Sequence, residues 1–254
     1  MTLYQLEICA NSVTSALAAQ AGGATRVELC QHLEVGGITP SHGQIQLAKQ
    51  LLRIGVHVLI RPRAGDFLYT DVEFEEMKAD IGYCRATGCA GVVIGLLRSD
   101  GSVDEERLRI LVNCASPMQV TFHRAFDRCR DPLEALEAII RCGCNRLLTS
   151  GMKNTALEGT ALIGELVKQA DGRVEIMPGS GIDENNVLTI AKATGAHSFH
   201  TSARESVPGT DYAPTGIINM GSGISVSSKQ KIRLIADLLN INNIESPNAP
   251  DPRN

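Results

Sequence analysis

Tryptophan is absent from the 254-residue sequence, and aromatic residues make up only 4% of it. The interior therefore has to be built from Leu, Ile, Val and Ala. No apolar run reaches the roughly 18 residues a membrane-spanning helix needs, and no basic, apolar leader opens the chain. A soluble, cytoplasmic protein without a membrane partner is expected. Excess positive charge is missing too. The formal net charge is -4, which argues against sequence-independent binding to nucleic acid. The eight cysteines contain no Cys-x-x-Cys pair, so most should be free thiols acting as small hydrophobes in a reducing compartment. Cys142 and Cys144, the one tight pair, read as packing.

What is present is a repeated alternation. Short β-branched runs (Tyr4–Cys9, Thr25–Cys30, Val56–Arg61, Gly91–Gly95, Met118–His123, Arg146–Thr149, Val174–Met177, His197–Thr201) are separated by amphipathic stretches with helical spacing. Asp131-Pro132 and Asp183 mark helix starts; Gly22, Gly88, Gly143 and Gly195 mark helix stops. Strand-then-helix units repeated in this way predict a single-domain (β/α)8 TIM barrel over residues 1–240, with a doubly wound sheet as the alternative. The polar, Pro-rich segment 241–254 reads as a disordered tail. Ser202–Val226 is long for a βα connection, and such loops in barrels serve the site.

Side chains alternate along a strand, so parity sorts each run into two faces. The aliphatic set faces the helices. The other set points into the barrel: Glu7, Cys9, Glu28, Cys30, His57, Arg61, Thr121, His123, Glu175 and His200. Arg26 falls on this polar side without an assigned role. Barrel interiors are usually filled with Val, Ile and Leu. Buried charges must pair, bind a ligand or meet water, and Arg61 is the expected partner of Glu7 and Glu28. Cys9, Cys30, Arg61, His123 and His200 fall at strand C-terminal ends, the functional face of a barrel.

The loops at that end carry matching chemistry. "IRPRAGDF" supplies Arg61, Arg63 and Asp66, and "FHRAFD" supplies His123, Arg124 and Asp127. Each combines guanidinium with carboxylate, as oriented forks for an anion do, although surface ion pairing would give the same pattern. "PGSGI" offers Gly179 and Gly181 as a backbone phosphate loop or a tight turn. An enzyme acting on a small anionic or phosphorylated substrate would hold it with the arginines. Glu7 or Glu28 and His123 would share proton transfer, and His200 would orient or polarise. Glu7, Glu28, His123 and His200 are donors that zinc could also use, but the sequence does not place the four around one point. Nothing in the sequence names a reaction.

"LEIC", "RVELC", "GGITPS", "IRPRAGDF", "TFHRAFD", "LLTSG" and "PGSGI" resemble, in order and spacing, the CutC copper-homeostasis family from about Leu6 to Ser202. The resemblance implies a cytoplasmic TIM barrel that self-associates as a homodimer or higher homo-oligomer and handles copper. It also implies that Cys9 and Cys30 are Cu(I) ligands. The resemblance also implies that some bacterial relatives carry a second Cys directly after the first; here that position is Ala10. Soft Cu(I) suits two thiolates, while carboxylates such as Glu7 and Glu28 prefer harder ions.

Overall fold

Eight parallel strands alternate with eight helices in the computed structural model, whose described residues are 4–208 and 223–244. The strands are β1 (Gln5–Ala10), β2 (Arg26–Leu29), β3 (Gly55–Leu59), β4 (Gly91–Ile94), β5 (Gln119–Phe122), β6 (Arg146–Thr149), β7 (Glu175–Pro178) and β8 (Ser198–Thr201). The helices are α1 (Val13–Gly22), α2 (His42–Leu51), α3 (Asp71–Ala86), α4 (Glu105–Ala115), α5 (Pro132–Arg141), α6 (Thr160–Ala170), α7 (Val187–Thr194) and α8 (Lys229–Ile244). The sheet order is β7-β6-β5-β4-β3-β2-β1-β8, and a parallel bridge between Gly179 and His200 joins the two ends. Each strand neighbours its predecessor in sequence with no reversal of order. That excludes the doubly wound sheet and gives the TIM barrel.

Local chemistry accounts for the element ends. Thr70 and Glu73 form a capping box on α3, and Asp131 caps α5 ahead of Pro132. Gly195 terminates α7 with φ +72°. Two expected ends move. α1 runs through Gly22 and is capped by Gly23, because a Cβ at Gly22 would lie 2.6 Å from Ile232 of α8. Gly22 thus lets the first and last helices close the ring. Asp183 does not cap α7, which starts after Asn186; its carboxylate accepts from Asn185 N in the preceding turn.

The aliphatic parity set, including Ile8, Val27, Val58, Val92 and Phe199, is buried between sheet and helices. Inside the barrel a separate small cluster joins Cys9, Cys30, Leu59 and Val93. Apart from Met177 and Leu148 the rest of the interior is largely polar, with Glu7, Arg26, Glu28, His57, Thr121, His123 and Arg146 all buried. The long connection expected to serve the site after β8 is described at its two ends, which pair as antiparallel strands β9 (Arg204–Pro208) and β10 (Gly223–Ser227). Its residues 209–222 lie outside the described residues. The helix α8 runs past residue 240, and residues 245–254 of the expected tail lie outside the described residues.

Candidate functional site

The deeper polar layer is a charge network. Arg26 Nε donates to Glu7 Oε2 at 2.6 Å, and its Nη2 donates to Ser198 Oγ at 2.8 Å. Arg146 Nε donates to Glu175 Oε2 at 2.5 Å and Nη1 to Thr121 Oγ1 at 3.2 Å. Burial alone would raise the pKa of Glu7, but the charge of Arg26 and a hydrogen bond from His200 hold it well below the carboxylate range. His57, whose Nδ1 has no hydrogen-bond partner, is pushed down to about 4 by burial. Its ring fits because β4 offers Gly91, where a Cβ would lie 2.5 Å from His57 Nδ1.

The expected Arg61 partnership with Glu7 and Glu28 is not formed. Arg61 sits after β3 and spends its terminal nitrogens on the carbonyls of Val35, Gly37 and Gly65 at 2.9, 2.7 and 3.0 Å. It is a strut between two loops, with Phe67 stacked 5.1 Å from its guanidinium carbon. Arg26 takes the carboxylate instead. The alternation placed it on the correct face, and an Arg two residues before Glu28 on the same face of β2 was the available signal.

Above this layer, at the strand C-terminal ends, the thiols of Cys9 and Cys30 lie 3.6 Å apart. Cys9 Sγ donates to Glu28 Oε2 at 3.0 Å. His200 bridges the two glutamates, with Nδ1 2.7 Å from Glu7 Oε1 and Nε2 3.7 Å from Glu28 Oε2. One donor atom from each of Cys9, Glu28 and His200 falls within 4.8 Å of the others. This trio is the group that geometry assembles among the described residues. Glu7 lies behind it with Arg26, and His123 follows β5, three strands away from β2, so the zinc donor set Glu7–Glu28–His123–His200 does not converge. The hydrogen bond with Cys30, burial and the nearby Glu28 carboxylate together push the Cys9 thiol well up. Burial raises Glu28. Burial would lower His200, but Glu28 and Glu7 hold it above the usual imidazole value. At rest Cys9 is therefore held as a thiol.

A cleft of about 1300 Å³ opens over these groups, lined among others by Cys9, Glu28, Leu59, Phe67, His123 and His200. His123 accepts a hydrogen bond from Ala125 N at its Nδ1, 3.1 Å away, and its Nε2 has no partner. Gly95 makes room for the ring, since a Cβ there would lie 2.4 Å from His123 Nδ1. At Gly179 a Cβ would lie 2.5 Å from Leu148 Cδ1 and 3.2 Å from His200 Cβ. Gly179 is thus a packing residue, and its N–H is spent on Thr149 O. Gly181, with φ +68°, does line the cleft.

The loop residues divide. Arg63 turns to Glu73 at 2.5 Å and Asp66 at 3.0 Å, and neither Arg63 nor Asp66 lines the cleft. Arg124 does line it. Its Nε is held by Asp127 Oδ2 at 2.7 Å and its Nη2 by Ser150 Oγ at 2.8 Å, which leaves Nη1 without a partner among the described residues. Asp127 is a hub. It also accepts from Thr149 Oγ1, Ser150 N and Met152 N, fixing the loop after β6.

The sequence profile of the CutC family matches residues 4–205. A CutC-named family protein of Parabacteroides distasonis is 50% identical over 90% of this chain and 94% of its own length. One of Chromobacterium violaceum is 49% identical over 89% and 92%. Among solved structures, a CutC of Streptococcus agalactiae named for copper homeostasis superposes with a TM-score of 0.76 at 34% identity, covering 79% of this chain and 99% of that one. An aldolase at 15% identity and a TM-score of 0.63, covering 96% and 97%, shares the barrel alone. With its profile match, its half-identical relatives and its barrel, the chain belongs to the CutC family.

Proposed function

We propose that the protein binds a soft metal ion, Cu(I), at the barrel mouth, in keeping with the copper-homeostasis name its family carries. The observation that supports this is the pair of thiols 3.6 Å apart, with Glu28 and His200 donors beside Cys9. Thiolate and imidazole both suit Cu(I). Two metal–sulfur bonds of about 2.3 Å laid end to end would need roughly 4.6 Å between sulfurs. The observed spacing is shorter, so it favours a bent arrangement with a third donor, and His200 is the nitrogen at hand. Competition with a Cu(I) chelator under reducing conditions tests this. Cys9→Ala with Cys30→Ala should abolish competition, and His200→Gln should weaken it. Unchanged competition in the double variant would place the metal elsewhere among the six remaining cysteines.

A second reading is supported by the cleft, whose volume far exceeds that of an ion. It is that the same barrel receives a small anionic ligand or substrate beside Arg124. A thermal-shift series with small organic acids and phosphates on the metal-free protein tests it, and no shift would count against it. The family resemblance further supports a cytoplasmic protein that self-associates. Light scattering giving a monomer mass of 27.2 kDa would oppose the latter. Among the described residues no helix is long and apolar enough to cross a membrane.

A further inference from the structure

A buried hydrogen-bond donor without an acceptor costs about 1–3 kcal/mol, so each one in a folded protein requires an explanation. His123 presents such a donor. The backbone N–H of Ala125 points at Nδ1, so Nδ1 must be the accepting nitrogen of the ring. A neutral imidazole carries one proton, and with Nδ1 accepting, that proton resides on Nε2. Burial and the Arg61 charge push the ring down to about 3, which keeps it neutral at ordinary pH. The tautomer is thereby fixed as Nε2–H, and Nε2 is the atom that finds no acceptor in the protein. The ring is 5% exposed, lines the cleft, and is locked between Gly95 and the Phe67 ring, whose centroid is 5.0 Å away.

Two features of the cleft, a guanidinium and an apolar wall, define what could supply the missing acceptor. Arg124, the next residue, lines the same cleft with Nε and Nη2 immobilised and Nη1 unengaged among the described residues. Leu33, Leu59, Phe67 and Leu148 form apolar wall around the cleft. A neutral donor, one free guanidinium nitrogen and apolar walls suit a small organic ligand with an oxygen acceptor and a negative charge. Arg128, Lys153, Arg204 and Lys231 also line the cleft, together with the acids Glu158, Asp183 and Glu184. Beside His123 itself, the Phe67 ring favours an organic acid over bare phosphate.

We propose that the cleft binds a small carboxylate or 2-oxo acid, one of whose oxygens accepts from His123 Nε2–H while Arg124 meets its charge. This rests on the second reading above and assigns its recognition residue and ligand class. His123 then acts as a neutral, pre-oriented donor of the kind that polarises a carbonyl or holds a developing oxyanion.

The test uses the metal-free full chain with 15N-labelled histidine, and oxalate, pyruvate and inorganic phosphate as probes. The ligand-free protein should show His123 with a protonated Nε2 and a bare Nδ1. Saturating oxalate or pyruvate should shift the Nε2 signal and raise the melting temperature; phosphate should do less. His123→Asn keeps a side-chain oxygen that can accept from Ala125 N, so the turn at Arg124–Arg128 stays capped while the Nε2 donor is lost. It should weaken oxalate binding about tenfold or more. Oxalate binding equally well to wild type and His123→Asn would overturn the assignment of His123 and leave the anion reading standing. No response to any of the three probes would overturn both. Should His123→Asn fail to fold, the wild-type Nε2 signal decides, and its indifference to bound oxalate sinks the proposal.

Discussion

Arg26 Nε stands 2.6 Å from Glu7 Oε2 in the middle of the barrel, and the two side chains are only 8% and 0% exposed. The pair is tolerable because its other atoms are also engaged: Glu7 Oε1 by His200, Arg26 Nη2 by Ser198 and the Met177 sulfur. Removing one partner leaves a buried charge uncompensated, which typically costs about 3–5 kcal/mol. Arg26→Met should therefore lower the denaturant midpoint by that equivalent. Adding Glu7→Gln to it should recover a substantial part. If Arg26→Met is as stable as wild type, the network does not carry the interior.

Acid stability follows from the buried histidines. His57 is held at about 4 against an ordinary 6.5, so above the ordinary value both folded and unfolded chains leave it neutral. Below it the unfolded chain takes up a proton that the folded one refuses, and stability falls until the folded value is reached. Glu7, held below its ordinary range, adds to the loss at still lower pH. His200 works the other way: its raised value contributes stability at low pH that is lost as pH rises. His57→Gln isolates one contribution. Between about pH 7 and pH 4.5 it should lose about 2 kcal/mol less than wild type in urea titrations. Parallel curves for the two proteins would refute the assignment.

Copper binding should be pH-dependent with a definite sign. Cys9 is held as a thiol by Cys30, burial and Glu28, and a metal ion must displace that proton. Conditional affinity should rise with pH, about tenfold per unit for each proton displaced. Glu28→Gln removes the negative neighbour that disfavours the thiolate, so the midpoint of the pH curve should move to lower pH. Chelator competition across a pH series checks this. A midpoint that stays fixed would show that Glu28 does not control the Cys9 proton.

Much of this arrangement was legible in the sequence, for one physical reason. Parallel-strand side chains alternate strictly, so Glu7, Cys9, Glu28, Cys30 and His123 share a face whatever the helices do. Which carboxylate meets which guanidinium was not legible. Arg26 and Arg61 both lie inside, but barrel stagger brings Arg26 against Glu7, while the loop after β2 curls its carbonyls around Arg61. Nor did parity distinguish Arg63 from Arg124. Both are loop arginines beside a carboxylate, and only the path of each loop turns one away from the cleft. The pairing of β9 with β10 was hidden because their residues are exposed or half-buried, Ser227 excepted, and show no buried periodicity.

Gly91 of β4 and Gly95 directly after that strand yield the sharpest mutational contrast. A Cβ on Gly95 would stand 2.4 Å from His123 Nδ1 and 2.5 Å from Cε1, both side-chain atoms. A Cβ on Gly91 would stand 2.5 Å from His57 Nδ1 but also 2.8 Å from Gln119 O, a backbone atom fixed in β5. Gly95→Ala should therefore cost about 1–3 kcal/mol by overpacking, and most of that should vanish in a His123→Ala background, where the ring is gone. Gly91→Ala should stay destabilising in a His57→Ala background, because the carbonyl cannot yield. Denaturant midpoints of the four single and two double variants measure both coupling energies. Strong coupling at Gly95 with weak coupling at Gly91 is the expected pattern. The same Gly95→Ala change displaces the His123 ring from Ala125 N–H and so should also weaken oxalate binding, linking a strand-end glycine to the ligand through one imidazole. Equal coupling at both sites would mean that the rings, not the backbone, limit both positions.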